Sequence, residues 1–501
     1  MAKARSVKNA KVVGSNLVDS FMDDNALGPS PVEQTDTTLC IDLGEPDVSG
    51  TGEIGGATNP IAFNLSNPLF EACEEALRVA KKKGTLDITP FTGVSKIVYA
   101  WLFQEHFNTF KGSQFLKKYL KFMHFFENHK FSEMDFEVFR VLGRGGFGLV
   151  NGCRCIRTGR MYAMKTMDKR RVKMNGGEAM CSLEKELLAC CNSNFVLDLK
   201  YSFVNNYELF IIMDVKAGGD LNFHINEQKK FSAAQTKYYM ARVCEGIQDM
   251  HNAGWIYRDL KPENLLLDLD GTCMISDLGL ACPCKGSVEG VAGTPGYWPP
   301  EMLRKEPYDK MVDFWTIGVV FVEFLTGKCP FRNKAALDFG KSKGESDKLL
   351  SCNLAVLEMD IEYKPDLMNE DAIDLAKQLL NRNPGERLGK NGISDIKSHK
   401  YFEGFDWDSV ADGSMEPPFV PGDGGDVNAA DQDSIGKFKN ENEIKTIDLS
   451  DKDHARYKEF SVSNKHAYEA DVVGFLMWEK KEGRPLTATQ EAERSKTCVV
   501  S

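Results

Sequence analysis

The sequence predicts an α+β molecule in which strands and helices occupy separate segments. Three observations predict it. Apolar residues recur at helical spacing before residue 132, the pattern changes to strands from Phe136, and long amphipathic helices alternate with loops from about Asp220 to Phe402. At 501 residues the chain is longer than one average domain. Its apolar and charged fractions, 42% and 27%, are those of an ordinary soluble globular protein.

Residues 1–57 are rich in Gly, Ser, Asp, Asn and Pro, show no sustained apolar period and are expected to be mostly disordered. The segment 58–132 reads as a short all-helical module. Asn67-Pro68 can open a helix, followed by Leu69, Phe70, Cys73, Ala76, Leu77 and Ala80 at helical spacing, and Gly84 can end it. Two further helices are expected over Ser95 to Phe107 and Ser113 to Asn128. Their aromatics, among them Tyr99, Trp101, Phe122, Phe125 and Phe126, need a partner surface.

From Phe136 the order is strand, glycine loop (Gly143-Arg144-Gly145-Gly146-Phe147-Gly148), a strand segment, a Thr158-Gly159 turn, and a strand carrying Tyr162-Ala163-Met164-Lys165. A glycine-rich loop alone also fits a dinucleotide fold, but there it opens a helix and here a strand follows. Such glycines let backbone N–H groups approach phosphates. A helix around Ala179 to Cys191 carries Glu184. A strand pair ends at Phe210-Ile211-Ile212-Met213-Asp214, and Gly218-Gly219-Asp220 follows. Residues 403–480 read as extended and loop-rich, and 481–501 as a polar tail.

The centre of the pattern is Tyr257-Arg258-Asp259-Leu260-Lys261-Pro262-Glu263-Asn264. Asp259 can take a proton from an attacking hydroxyl, Lys261 can reach a phosphate, and Asn264 can hold a metal ion. With Asp277-Leu278-Gly279 downstream, residues 136–402 resemble a eukaryotic protein kinase domain, with Tyr257 where that family usually has His and Leu278 where it has Phe. The resemblance implies a bilobal fold, with an antiparallel-sheet N-lobe and a helical C-lobe, and implies ATP and Mg²⁺ as cofactors. It assigns Asp259 as base and Lys261 beside it, and Asn264 and Asp277 as metal ligands. Lys165 would bind the α- and β-phosphates and pair with Glu184, with Glu186 as the alternative. Leu142, Gly143, Gly145, Gly148, Val150, Ala163, Met213, Asp214, Val215, Asp220 and Leu266 would surround the nucleotide, with Met213 facing the adenine pocket and Asp220 bonding the ribose. Glu301 would pair with Arg387, and Asp313 would be the buried acid of the following helix. A lone Lys, Glu or glycine loop is more often a solvated charge or a hairpin turn. The joint order across one domain length is what outweighs that explanation. Lys261 argues for serine/threonine specificity, because tyrosine kinases generally lack it.

Tyr257, Leu278 and the segments Met161 to Lys165 and Val427 to Asp431 are similar to the G-protein-coupled receptor kinases of the AGC group. Asp433 to Phe438 resembles the tail piece that crosses the ATP cleft there, with Phe438 the candidate contact, so 403–480 is expected to be the AGC-type extension. The substrate would then be an activated seven-helix receptor. The module 58–132 resembles part of the regulator-of-G-protein-signalling-homology region. It looks short, which argues against G-protein binding through it. The loop Lys285 to Ala292 carries Gly290 where most AGC kinases have a phosphorylated Thr, which implies activity without loop phosphorylation. A soluble AGC kinase with other substrates is the alternative, since Glu263 and Asp220 could favour basic residues near the phosphosite. A catalytically dead scaffold ranks below both, because every metal and phosphate residue is present.

Charge and cysteine usage set outer bounds. A net charge of −11 argues against a nucleic-acid binder. No secretory signal is recognisable in Met1 to Gly14, and Ala2 rules out N-myristoylation. The 14 cysteines show no framework spacing and read as reduced cytosolic thiols. The close pairs Cys153/Cys155, Cys190/Cys191 and Cys282/Cys284 lack partners at zinc spacing. Cys498-Val499-Val500-Ser501 fits a C-a-a-X signal favouring farnesyl on Cys498, with chance as the competing explanation. One lipid binds membranes only marginally, so the basic stretch at Lys3, Arg5, Lys8 and Lys11 would be the second signal. The expected location is cytoplasmic, peripheral at the membrane if Cys498 is prenylated.

Overall fold

The computed structural model describes residues 38–41, 61–64, isolated positions between 72 and 103, and residues 107–421 and 441–482 apart from 192 and 285. The Phe438 contact, the Val427 to Asp431 segment, the basic N-terminal stretch and Cys498 lie outside the described residues, and of the helix expected after Asn67 only Ala72, Glu75, Arg78 and Val79 are described, all of them helical. The chain forms two units, Met1–Lys121 and Phe122–Ser501.

In the first unit, strands β1 (Thr38–Ile41) and β2 (Ile61–Asn64) pair antiparallel. This departs from the sequence reading of disorder up to residue 57 and helix beyond it. Thr-Leu-Cys-Ile and Ile-Ala-Phe are rich in strand-forming residues, but four-residue runs are too short to show a period. Helix α1 (Phe107–Gly112) begins where the expected second helix was to end. Within the unit Phe103 stacks on Phe107 at 4.8 Å, yet Phe103 and Phe110 remain exposed. Helix α2 (Gln114–Asn128) matches its expected span, and the Ser113 hydroxyl accepts from the Leu116 N–H to cap it.

In the second unit, β3 (Phe136–Arg144), β4 (Gly148–Cys155), β5 (Met161–Asp168), β6 (Tyr201–Val204) and β7 (Glu208–Asp214) form the antiparallel small lobe. Its sheet has six strands in the order β12-β6-β7-β5-β4-β3, because Val462–Ser463 (β12, far downstream) pairs with β6. After β5 come α3 (Lys169–Met174), capped by Asp168, and α4 (Glu178–Cys190). The latter buries Cys181, Glu184, Leu187 and Leu188 at helical spacing against the sheet.

The large lobe is helical. Helix α5 (Leu221–Gln228) is followed by α6 (Ala233–Asn252), which Ser232 and Gln235 start with a capping box. The short pairs β8 (Trp255–Ile256) with β11 (Cys282–Pro283), and β9 (Leu265–Leu267) with β10 (Cys273–Ile275), frame the catalytic loop. Helix α7 (Pro300–Leu303) precedes α8 (Met311–Thr326), whose buried residues run all round it, so the lobe is built on it. Helices α9 (Lys334–Ser342), α10 (Lys348–Glu358) and α11 (Glu370–Leu379) continue the lobe, and short helical turns up to Ala411 close it.

The last described segment departs most from the sequence reading. Residues 465–482 are not extended but form helix α12 (Lys465–Glu482), capped by the Asn464 side chain. Tyr468, Val472, Leu476 and Glu479 are buried at i, i+4, i+8 and i+11. Against this helix lie the aromatics of the second half of α2: Phe122 is 5.6 Å from Phe475, and Phe126 stacks 4.9 Å from Tyr468. That is the partner surface Phe122 and Phe126 needed. Each such side chain contributes about 1.5–3 kcal/mol when fully buried. Between the lobes and α12 the chain runs back over the small lobe. Lys173 pairs with Asp453 at 2.8 Å, Ser202 donates to the Phe460 carbonyl at 2.6 Å, and Tyr457 and Phe460 are buried.

Candidate active site

Strand β5 brings Lys165 beneath the glycine loop, and α4 brings Glu184 to it. The Lys165 Nζ lies 2.5 Å from Glu184 Oε1 and 3.1 Å from Asp277 Oδ1. Glu184, not Glu186, is therefore the ion-pair partner. Burial opposes charge on Lys165, but the Asp277 and Glu184 carboxylates override it and hold the ammonium above its ordinary value. The same ammonium holds Asp277 below the usual carboxylate range, against the effect of burial. Burial pushes the Glu184 carboxyl up, and Lys165 pulls it back. Two carboxylates thus face a single ammonium.

The glycines divide into two kinds. A Cβ on Gly148 would sit 1.7 Å from the Thr166 carbonyl oxygen, so the β4–β5 pairing itself demands glycine there. A Cβ on Gly143 or Gly146 would meet nothing within 4 Å, and on Gly145 only the Gly148 carbonyl at 3.9 Å. These leave open space over the cleft, as close approach of a phosphate requires.

In the catalytic loop, Asp259 is buried and both of its carboxylate oxygens accept hydrogen bonds. Oδ2 accepts from Lys261 Nζ at 2.8 Å and from Asn264 Nδ2 at 3.0 Å, and Oδ1 accepts from the Thr294 hydroxyl at 2.7 Å. Lys261 Nζ also donates to Thr294 Oγ1 at 2.8 Å. The Asn264 amide N–H₂ is spent on Asp259, including its backbone carbonyl at 2.9 Å, which leaves the amide oxygen as the available ligand atom. That oxygen and the Asp277 carboxylate are hard donors of the kind Mg²⁺ takes together with substrate phosphates, so the residues fit the ion. Asp277 has φ 48°, uncommon for a non-glycine residue and a mark of a backbone held in place by its surroundings.

Two buried residues fasten this loop. Asp313, wholly buried on α8, accepts from the backbone N–H of Tyr257 at 2.9 Å and of Arg258 at 2.8 Å, and pairs with His251 at 2.8 Å. Tyr257, fully buried, donates its hydroxyl to the Ser276 carbonyl at 2.6 Å, tying the catalytic loop to the residue before Asp277. Tyr257 therefore links the two metal-ligand segments. Glu301 and Arg387 form a buried two-bond pair at 2.7 and 2.9 Å.

Around the nucleotide position, Ala163 on β5 sits opposite Met213 on β7, Val150 on β4 sits opposite Lys165, and Leu266 on β9 is bridged to Asp220. Leu142 lies on β3, and Val215 follows the end of β7. The side chains of two residues assigned to the nucleotide site, Asp220 and Asp214, have partners within the protein. The Asp220 Oδ1 caps α5 by accepting from the Phe223 N–H at 2.8 Å, and Asp214 is paired with Lys200 at 3.2 Å. Residues whose place was not read from the sequence are Thr294, in direct contact with both Asp259 and Lys261, and Tyr308, whose hydroxyl accepts from Arg258 at 3.0 Å. Thr294 carried a signal, since the segment Gly293 to Tyr297 resembles the substrate-binding segment of protein kinases. Among the described residues no cluster of His, Cys, Asp or Glu forms a further metal site, and the three close cysteine pairs are free thiols.

The family description "Protein kinase domain" matches residues 136–402. Rhodopsin kinase GRK7 of Homo sapiens is 34% identical over 450 residues, covering 88% of this chain and 78% of that protein. The chain belongs to the protein kinase family and, within it, to the G-protein-coupled receptor kinases. G protein-coupled receptor kinase 2 of Caenorhabditis elegans is 37% identical over 354 residues, and beta-adrenergic receptor kinase 1 of Homo sapiens 38% over 346. Those matches cover 69% and 68% of this receptor kinase chain but only 48% of either relative, so the chain spans about half their length. No helix of the described residues is long and apolar enough to cross a membrane.

Proposed function

We propose that the chain transfers the γ-phosphate of Mg-ATP to serine or threonine hydroxyls of an activated seven-helix receptor. The observation that carries the chemistry is the convergence of Lys165, Glu184 and Asp277 on one side of the cleft and Asp259, Lys261, Asn264 and Thr294 on the other. Bound Mg²⁺ would neutralise charge on the phosphates. Lys165, fixed by two carboxylates, orients the α- and β-phosphates. Asp259 accepts the proton of the substrate hydroxyl, and Lys261 stands ready for the transferred group. The receptor as substrate is supported by the relatives' names, beta-adrenergic receptor kinase 1 and rhodopsin kinase GRK7. Radiolabel transfer to receptor-bearing membranes, with and without agonist, tests it. Agonist-dependent labelling is expected, and transfer to soluble peptides alone would sink the receptor assignment.

A specific feature supports the second reading, a soluble kinase that prefers basic substrates. Burial pushes the Glu323 carboxyl up to about 7; the Tyr297 hydroxyl, donating to it at 2.6 Å, opposes the shift and the neighbouring Glu263 adds to it. Glu323 itself is buried, but Glu263 is exposed and would attract a basic residue of a substrate. A peptide library run beside the receptor membranes separates the two readings.

The loop before Thr294 has a phosphate-free anchor. Val288 and Tyr308 exchange backbone hydrogen bonds, each at 2.8 Å, and Arg258 binds the Tyr308 hydroxyl and the Leu280 carbonyl. Phosphatase-treated enzyme is therefore expected to keep its activity; loss of all transfer would show that a phosphate is needed after all. The farnesyl reading of Cys498 stands on its four-residue signal. Mass spectrometry of protein from its native cells should show the added lipid, and a bare thiol would remove this part.

A further inference from the structure

Helix α12 lies outside residues 136–402, yet it reaches the strand pair against which the adenine ring would rest. It leaves the sheet edge at Asn464, whose N–H donates to the Lys200 carbonyl at 2.8 Å and whose side chain donates to the Leu199 carbonyl at 3.1 Å. Seven residues on, Asp471 accepts a hydrogen bond from the Tyr162 hydroxyl. Its other oxygen is 3.9 Å from Arg160 Nε, and a second nitrogen of Arg160 is 3.8 Å from Asp214 Oδ1. Asp214 is completed by Lys200 at 3.2 Å, which also pairs with Asp198 at 3.0 Å.

The position of this network matters more than its size. Tyr162 pairs in register with Asp214, and the next pair along the ladder is Ala163 with Met213. Successive strand residues point to opposite faces. Tyr162 and Ala163 therefore turn to the two sides of the same strand, one toward α12 and one toward the nucleotide. The Tyr162 ring is 1% exposed and Lys200 7%. Loss of the Asp471 carboxylate would leave the buried Tyr162 hydroxyl short of an acceptor, and the strand pair would shift to satisfy it, whereas Arg160, 57% exposed, could turn to water.

We propose that Asp471 is a positioning residue for the nucleotide: through Tyr162 and Arg160 it sets the β5–β7 backbone at the adenine pocket, so that nucleotide affinity depends on helix α12 being seated. This rests on the kinase reading above for the identity of the ligand. It makes the tail of the chain a control point, because whatever lifts α12 from the sheet loosens the nucleotide site without touching it.

The test uses the full chain with a non-hydrolysable ATP analogue and Mg²⁺, read by calorimetry, together with KM and kcat for ATP. Asp471→Ala and Tyr162→Phe should each weaken analogue binding by about 5-fold or more, the lower end of ordinary coupling between sites. The kcat at saturating ATP should change by less than about twofold, because the residues around Asp259 are untouched. Asp471→Asn should restore most of the affinity, since its amide oxygen can still accept from Tyr162. Val472→Ala, a packing change on the same helix that keeps the Asp471–Tyr162 bond, should lower the melting temperature and cost less affinity than Asp471→Ala. Asp471→Ala and Tyr162→Phe binding as wild type would overturn the proposal, and so would an equal loss in Val472→Ala. Should Asp471→Ala fail to fold, Tyr162→Phe decides. A wild-type chain that binds no nucleotide would instead sink the kinase reading.

Discussion

Replacing Asp259 by Asn is expected to lower kcat by about 10²- to 10⁴-fold, the usual contribution of a positioned general base. Binding of Mg-ATP should survive, because Lys165, Glu184 and Asp277 are held by one another and not by Asp259. The exchange keeps size and shape. It removes the negative charge that Lys261 and Thr294 are gathered around, and it puts an N–H₂ where donors now point. A turnover rate equal to wild type would show that Asp259 is not the base. Thr294 sharpens the test. Its hydroxyl bridges Asp259 and Lys261, so Thr294→Ala should reduce kcat with nucleotide affinity intact, and Thr294→Ser should recover it.

Arg387→Ala should be the most destabilising single change in the large lobe. Arg387 is 1% exposed and Glu301 2%, and every nitrogen of the guanidinium is used: two on Glu301, one also on the Met311 carbonyl at 2.8 Å, and one on the Asn381 carbonyl at 3.0 Å. Truncation strands the Glu301 carboxylate in the core, at a cost of about 3–5 kcal/mol. For a lobe of this size that is roughly 6–20 °C in melting temperature. Glu301→Leu combined with Arg387→Met should cost less than Arg387→Ala alone, because a buried pair replaced as a whole by apolar groups leaves no orphaned charge. Thermal unfolding followed by circular dichroism measures both. A double variant no more stable than the single would mean that packing around the pair, and not its charge, carries the energy.

The sequence made the site more legible than the frame around it. Lys165, Glu184, Asp259, Asn264 and Asp277 were readable because their chemistry is specific and their order is diagnostic, and the structure brings them within hydrogen-bond reach of one another in two groups. Roles played by shape or by a second contact were harder to see. Asp220 looked like a ribose ligand, but its position just before α5 also makes it an N-cap, and one oxygen is engaged there. Thr294 showed its segment but not its partners, since contact across 35 residues leaves no periodic trace. Helix α12 was missed for a local reason: Gly474 sits at its centre and Val473 and Met477 face solvent, which blurs the apolar stripe formed by Tyr468, Val472 and Leu476. Strand β12 has two residues, too few to carry a period at all.

The central claim is that separate acidic, basic and amide side chains close around one metal-bound nucleotide. A crystal structure of the chain with a non-hydrolysable ATP analogue and Mn²⁺ in place of Mg²⁺ addresses it most directly, because manganese can be located by its anomalous scattering. The account predicts manganese bound by the Asn264 amide oxygen and the Asp277 carboxylate, with the analogue's phosphates between them and Lys165. Manganese bound elsewhere, with Asn264 and Asp277 left without it, would contradict the account.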